Sequence, residues 1–104
     1  MEYRLQNATF SGGKEMVLTM QGDLTHRDFD GFLDLTERMA ESGVQRVKLD
    51  FGGLETIDSS GVGMLLMAFD VARRHRIDMT IHNARGQAMT AVVRSPLNAV
   101  LTLS

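Results

Sequence analysis

The stretch Leu49-Asp50-Phe51-Gly52-Gly53-Leu54-Glu55-Thr56-Ile57-Asp58-Ser59-Ser60-Gly61-Val62-Gly63 decides how this chain is read. Its start completes an alternating run in which Val47, Leu49 and Phe51 interleave with Arg46, Lys48 and Asp50. That period of two predicts a strand over Val44–Phe51. Gly52 to Asp58 is expected to be a loop. Ser59 to Arg74 then carries the strongest helical pattern, with Val62, Leu65, Leu66, Phe69 and Ala72 as one apolar stripe.

The junction between strand and helix is where chemistry can sit. The first backbone N–H groups of a helix have no partner within it. Together with the helix dipole they form a natural anion site. Asp58 stands as the N-cap, and Ser59 puts a hydroxyl at the first helical position. A phosphate on that hydroxyl would add roughly -2 charge and three acceptor oxygens, which the helix end can partly satisfy. The fold should tolerate such a group while the outer surface changes sharply. Gly61 and Gly63 sharpen the reading, because glycine inside a helix costs roughly 1 kcal/mol relative to alanine. Two in the first turn suggest close approach by another backbone, from this sheet or from a partner. Taken alone, Asp-Ser-Ser-Gly is a weak motif. Asp58 as an ordinary cap, with Ser59 and Ser60 as plain first-turn residues, also accounts for it.

Outward from this segment, Tyr3 to Phe10 alternates loosely, with Tyr3, Leu5 and Phe10 facing inward, and Ser11-Gly12-Gly13 signals a turn. Glu15 to Met20 reads as a second strand with Met16, Leu18 and Met20 on one face, so the two form an antiparallel hairpin. Gly22 is expected to end that strand. From His26 to Ser42 the apolar residues Phe29, Phe32, Leu33, Thr36, Met39 and Ala40 fall at helical spacing. Thr25 is the expected N-cap, with Asp28 placed as in a capping box, and Gly43 is the expected stop. Ile77 to His82 reads as a strand and Gly86 to Arg94 as a helix with Met89, Val92 and Val93 inward. Ala99 to Leu103 reads as a short last strand. The order β-β-α-β-α-β-α-β implies an α/β (α+β) mixed sheet with helices packed on it and right-handed crossovers between its parallel strands.

The 104 residues fit one domain spanning 1–104. Cysteine is absent, which removes thiol chemistry and suits a reducing compartment. A net charge of -2 argues against nucleic-acid binding through bulk charge. No apolar run approaches the roughly 20 residues that span a bilayer, and Met1-Glu2-Tyr3-Arg4 is not a signal-peptide start. A soluble, cytoplasmic protein without membrane insertion is expected.

Met64 and Met67 lie off the main stripe of the second helix and suit an adaptable partner surface, or else cover the sheet edge or the next helix. Arg73-Arg74-His75-Arg76 complements a helix C-terminus. His26, His75 and His82 show no metal-ligand spacing, so neither a metal nor a cofactor is expected. His26 lies near the Thr25 cap, either facing the helix start at Ser59 or solvated. Asp23, Asp28 and Asp30 favour a helix N-terminus. There is no phosphate-binding loop and no nucleophile elbow, and Gly12-Gly13-Lys14 is a hairpin turn. No catalytic residue is assigned.

Taken together, the entry hairpin, Gly22-Asp23-Leu24, Val47-Lys48-Leu49-Asp50-Phe51 and Ile57-Asp58-Ser59-Ser60-Gly61-Val62-Gly63 resemble a STAS domain of the anti-sigma factor antagonist type, across nearly the whole chain. The resemblance implies that Ser59 is a phosphoacceptor and that Ser60 is its neighbour. It implies binding of the unphosphorylated chain to an anti-sigma factor and serine kinase of the GHKL ATPase type, with a PP2C-type phosphatase reversing the modification. Asp23, Thr25, Asp58, Ser60, Gly61, Gly63 and Met64 are then the switch and partner-binding residues, on a chain expected to be monomeric. Thr25 departs from the acidic residue that family antagonists often carry there. Many relatives also continue beyond the position of Ser104, so the target surface is expected to differ. Two other readings stay open: an accessory subunit of an ABC-type transport complex, and a nucleotide-binding enzyme, for which only the helix N-terminus speaks.

Overall fold

The computed structural model describes residues 1–99 in full and Val100, Thr102 and Leu103 by backbone alone. The hairpin forms from β1 (Glu2–Phe10) and β2 (Gly13–Leu24). A 3-10 turn (His26–Asp28) leads into α1 (Phe29–Glu41), followed by β3 (Arg46–Ile57), α2 (Ser59–Arg74) and β4 (Asp78–His82). The chain continues through α3 (Gly86–Val93), α4 (Leu97–Val100) and β5 (Thr102–Leu103). The sheet has strand order β1-β2-β3-β4-β5. Only the β1–β2 pair is antiparallel; β2, β3, β4 and β5 run parallel. The expected mixed sheet with packed helices is therefore what this sequence forms. Helices α1 and α2 pack together, α3 lies against β3, and α4 touches α2 and α3.

The core is one cluster, built on Met20, Leu24, Phe51, Leu54, Ile57, Leu65 and Ile81, with Phe32 and Met39 from α1. Burial of these side chains is the main favourable term in folding, at about 25 cal/mol per Å² of apolar surface removed from water. Along β3 the buried positions run Val47, Leu49, Phe51 and then Leu54 and Ile57. The spacing slips from two to three because the pairing with β2 shifts register twice, between Thr19 and Gln21 and between Gly22 and Asp23.

That slip corrects two expectations. Gly22 does not end β2: it takes φ +87, a conformation open to glycine, and the strand resumes through Leu24. Gly52 to Asp58 is not a loop down to Ile57, because β3 continues there as the partner of the β2 extension, with Asp23 opposite Thr56 and Leu24 opposite Ile57.

Three inward assignments also fail. Phe29 is 47% exposed because it starts α1 just outside the packed face, while Leu35, outside the expected pattern, is buried. Tyr3 and Val93 are exposed, and Ala88 joins Val92 in the core instead. On α2 the buried stripe is Gly61, Met64, Leu65, Ala68 and Ala72, rotated from the expected one, and Val62, Leu66 and Phe69 flank it half-buried. Ala99 and Val100 are helical, the last strand covers only Thr102 and Leu103, and Leu101 lies outside the described residues.

Candidate functional site

Two helices begin at one corner of the molecule, where β2 and β3 end. The 3-10 turn that leads into α1 is capped by the chain's own polar groups, while Asp28, the N-cap of α1 itself, makes no side-chain cap hydrogen bond. Thr25 Oγ1 accepts from Arg27 N at 3.3 Å, and Asp28 Oδ2 accepts from Thr25 N at 2.9 Å. This is the reciprocal capping box expected from the spacing. The other Asp28 oxygen takes the terminal ammonium of Met1 at 3.0 Å. Partial burial pushes the Asp28 carboxyl up. The Thr25 amide, the terminal ammonium and the charge of His26 outweigh it and hold the carboxyl below its ordinary value.

The start of α2 is built differently. Asp58 is extended, its amide donates to Leu24 O at 3.2 Å, and its Oδ1 accepts from Gly61 N at 2.7 Å. One side chain thus caps one orphan amide. Ser59 and Ser60 are exposed, and among the described residues neither hydroxyl has a hydrogen-bond partner within the protein. The Ser59 oxygen therefore sits on the surface, in the first turn of a 16-residue helix.

The two glycines separate into different roles. A Cβ on Gly61 would lie 2.7 Å from the Leu24 carbonyl oxygen and 2.8 Å from Ile57 Cγ2, so the glycine lets α2 start hard against the end of β2. A Cβ on Gly63 would meet nothing within 4 Å, and Gly63 is exposed. The close backbone approach that both glycines suggested is therefore internal at Gly61 and absent at Gly63.

The remaining expected residues divide the same way. Asp23 is exposed and accepts a hydrogen bond from Thr56 Oγ1 at 2.5 Å. Asp23, Thr25 and Asp58 line one open cleft of about 620 Å³, together with His26 and Arg27. His26 thus faces this cleft and is solvent-exposed as well. Met64 is a correction: it is 3% exposed, within the buried stripe, and cannot present a partner surface. The helix is rotated so that its buried side includes position 64 and leaves Ser59, Ser60 and Gly63 outside. Gly61, buried too, contributes through packing.

One residue of this corner was missed by the sequence reading. Gln87, near the start of α3, accepts from Ile57 N through Oε1 at 2.7 Å and donates from Nε2 to Ile57 O at 3.1 Å. No periodicity links a helix glutamine to a strand end 30 positions away. Elsewhere, the described residues contain no cluster of three or more potential metal-ligating side chains, and no described helix is long and apolar enough to cross a membrane.

An antiparallel hairpin leading into parallel strands, with a capped serine-rich helix start at the end of the central strand, defines an α/β domain with a mixed sheet and helices packed on it. The family model for the Mlab, STAS domain matches residues 8–102, and the chain belongs to the STAS domain family. Among solved structures it is similar to the Bacillus cell fate determinant SpoIIAA in its phosphorylated form. That pair shares 18% identity and a TM-score of 0.73 over 99% of this chain and 91% of that one. The anti-sigma factor antagonist SpoIIAA in its unphosphorylated form also matches, with a TM-score of 0.73. An anti-sigma factor antagonist from Mycobacterium paratuberculosis shares 14% identity and a TM-score of 0.77 over 98% of this chain and 85% of that one. The STAS domain of a SulP transporter from Vibrio cholerae shares 14% identity and a TM-score of 0.69 over 83% of this chain and 70% of that one. At such identities the likeness is one of fold. No protein of curated function matches the sequence.

Proposed function

We propose that this chain is a phosphorylation-controlled protein-interaction switch of the anti-sigma factor antagonist kind. Unmodified, the surface around Ser59, Ser60 and Gly63 docks on an anti-sigma factor and serine kinase of the GHKL ATPase type. The kinase supplies ATP, magnesium and the base, and transfers a phosphoryl group to the Ser59 oxygen. This chain supplies only the hydroxyl and is a substrate, not an enzyme. The dianion then stands inside the interface, where desolvating it without a partner is costly, and the complex weakens. A PP2C-type phosphatase restores the hydroxyl. The cycle runs in the cytoplasm.

One observation carries this reading: the Ser59 hydroxyl is exposed at a helix start whose cap, Asp58, leaves it unpartnered among the described residues. A phosphate there meets orphan amides and a favourable dipole, so the fold can accept it. Intact-mass measurement on protein from its own host, with peptide mapping, tests the site. The expected result is phosphate on Ser59. Phosphate on Ser60 or Thr25 instead, or a Ser59→Asp chain that holds the kinase as tightly as wild type, ends the reading.

A second reading is an accessory subunit of an ABC-type transport complex using the same helix face; the same fold also occurs in the STAS domain of a SulP transporter. Neighbouring genes discriminate: a kinase and phosphatase pair supports the first reading, transporter genes the second.

A further inference from the structure

We propose that Gln87 is a positioning residue that sets how Ser59 is presented. The name "phosphoacceptor" for Ser59 rests on the function proposed above; the clamp itself does not. Strand β4 pairs with β3 only as far as His82 opposite Asp50, yet β3 runs on to Ile57. On that side the last turn of β3 has no strand neighbour among the described residues. The chain instead reverses at Asn83, with φ 62, and enters α3. There the Gln87 amide takes up both backbone groups of Ile57, accepting from its N–H at 2.7 Å and donating to its C=O at 3.1 Å. One primary amide thus does what a neighbouring strand would do.

The chemistry requires an amide. A carboxylate can only accept and a thioether does neither usefully, so glutamine alone among side chains of this length serves both groups. The next residue, Asp58, is held from the opposite side, its N–H donating to Leu24 O at 3.2 Å. The peptide that leads into Ser59 is therefore gripped from two sides: by β2 through Leu24 and by α3 through one side chain. Removing Gln87 leaves α2 capped by Asp58, but frees the plane of the Ile57–Asp58 peptide.

The test uses the full chain and amide hydrogen exchange followed by NMR, in wild type, Gln87→Met and Gln87→Glu. Val92→Ala, a core truncation in the same helix, serves as the general destabilisation control. In Gln87→Met, Ile57 N–H exchange is expected to rise at least tenfold and the Asp58–Gly61 amide resonances to shift, while Val47 and Leu49 stay unchanged. In Gln87→Glu one carboxylate oxygen can still accept from Ile57 N–H while the other is left against the Ile57 carbonyl oxygen. Protection is therefore expected to fall between that of Gln87→Met and wild type, and protection equal to wild type overturns the need for the donor. Exchange in Gln87→Met that is unchanged at Ile57, or that rises evenly as in Val92→Ala, overturns the inference. Phosphorylation by the GHKL-type kinase is the second readout: at least a tenfold loss in kcat with KM kept is expected for Gln87→Met. An unchanged kcat overturns positioning. A wild-type chain that is not phosphorylated defeats the proposed function and leaves the exchange result to decide on the clamp.

Discussion

The 3-10 turn that opens into α1 and the start of α2 lie side by side, and they are finished in different ways. At the 3-10 turn the chain commits its own groups: Thr25 and Asp28 bond reciprocally, and the spare carboxylate oxygen takes the terminal ammonium. At α2 Asp58 caps Gly61 and nothing more, and two serines face solvent. Both are helix starts with backbone amides that lack an intrahelical partner. At the first, both capping side chains are bonded within the chain. At the second, the Ser59 and Ser60 hydroxyls have no partner among the described residues, which is what the proposed modification needs.

Several substitutions break or sharpen this contrast. The largest effect is expected at Gly61→Ala, where the new methyl would press on the Leu24 backbone oxygen, which cannot swing away. Urea unfolding should show a loss of about 2 kcal/mol or more. Gly63→Ala, two residues on in open space, should instead gain up to about 1 kcal/mol. An equal effect at the two glycines would refute the account of why α2 starts where it does.

Cap removal comes next. Thr25→Ala and Asp58→Ala should each lose about 1 kcal/mol in the same assay. Thr25→Ala should also loosen Asp28, because the reciprocal box loses a member.

Acid titration separates the two ends further. The Asp28 carboxyl is depressed in the folded state, so its contribution is present above the unfolded value of about 3.9 and is lost as pH falls through the lower folded value. Asp28→Asn should flatten the acid limb of the stability curve below about pH 4. If the limb stays as steep, the 3-10 turn is not held by that carboxylate. The smallest effect is expected at Ser59→Ala, within about 0.5 kcal/mol of wild type, since the hydroxyl carries no structural bond among the described residues.

Much of this corner was readable in the residues themselves. The capping box at Thr25 and Asp28, the Asp58 cap and the exposed Ser59 follow from local chemistry over three or four positions, and the structure has them. The strand extension from Gly52 to Ile57 was not readable, because a register slip destroys the period of two from which strands are recognised. Met64 was misplaced for a related reason. With Gly61 small enough to press on Leu24, the helix turns until Met64 is buried in the core, and side-chain hydropathy alone does not reveal that rotation. Gln87 was invisible because its two bonds join elements that only the fold brings together.

The claim beneath all of this is that adding a dianion at residue 59 leaves the fold standing and changes who can dock. The direct measurement is the affinity of the proposed GHKL-type kinase partner for two versions of this chain, one unmodified and one carrying phosphoserine at position 59. The expected result is binding at least roughly tenfold weaker for the modified chain, a difference of about 1.4 kcal/mol, with both versions equally folded. Equal affinity for the two folded chains would contradict it.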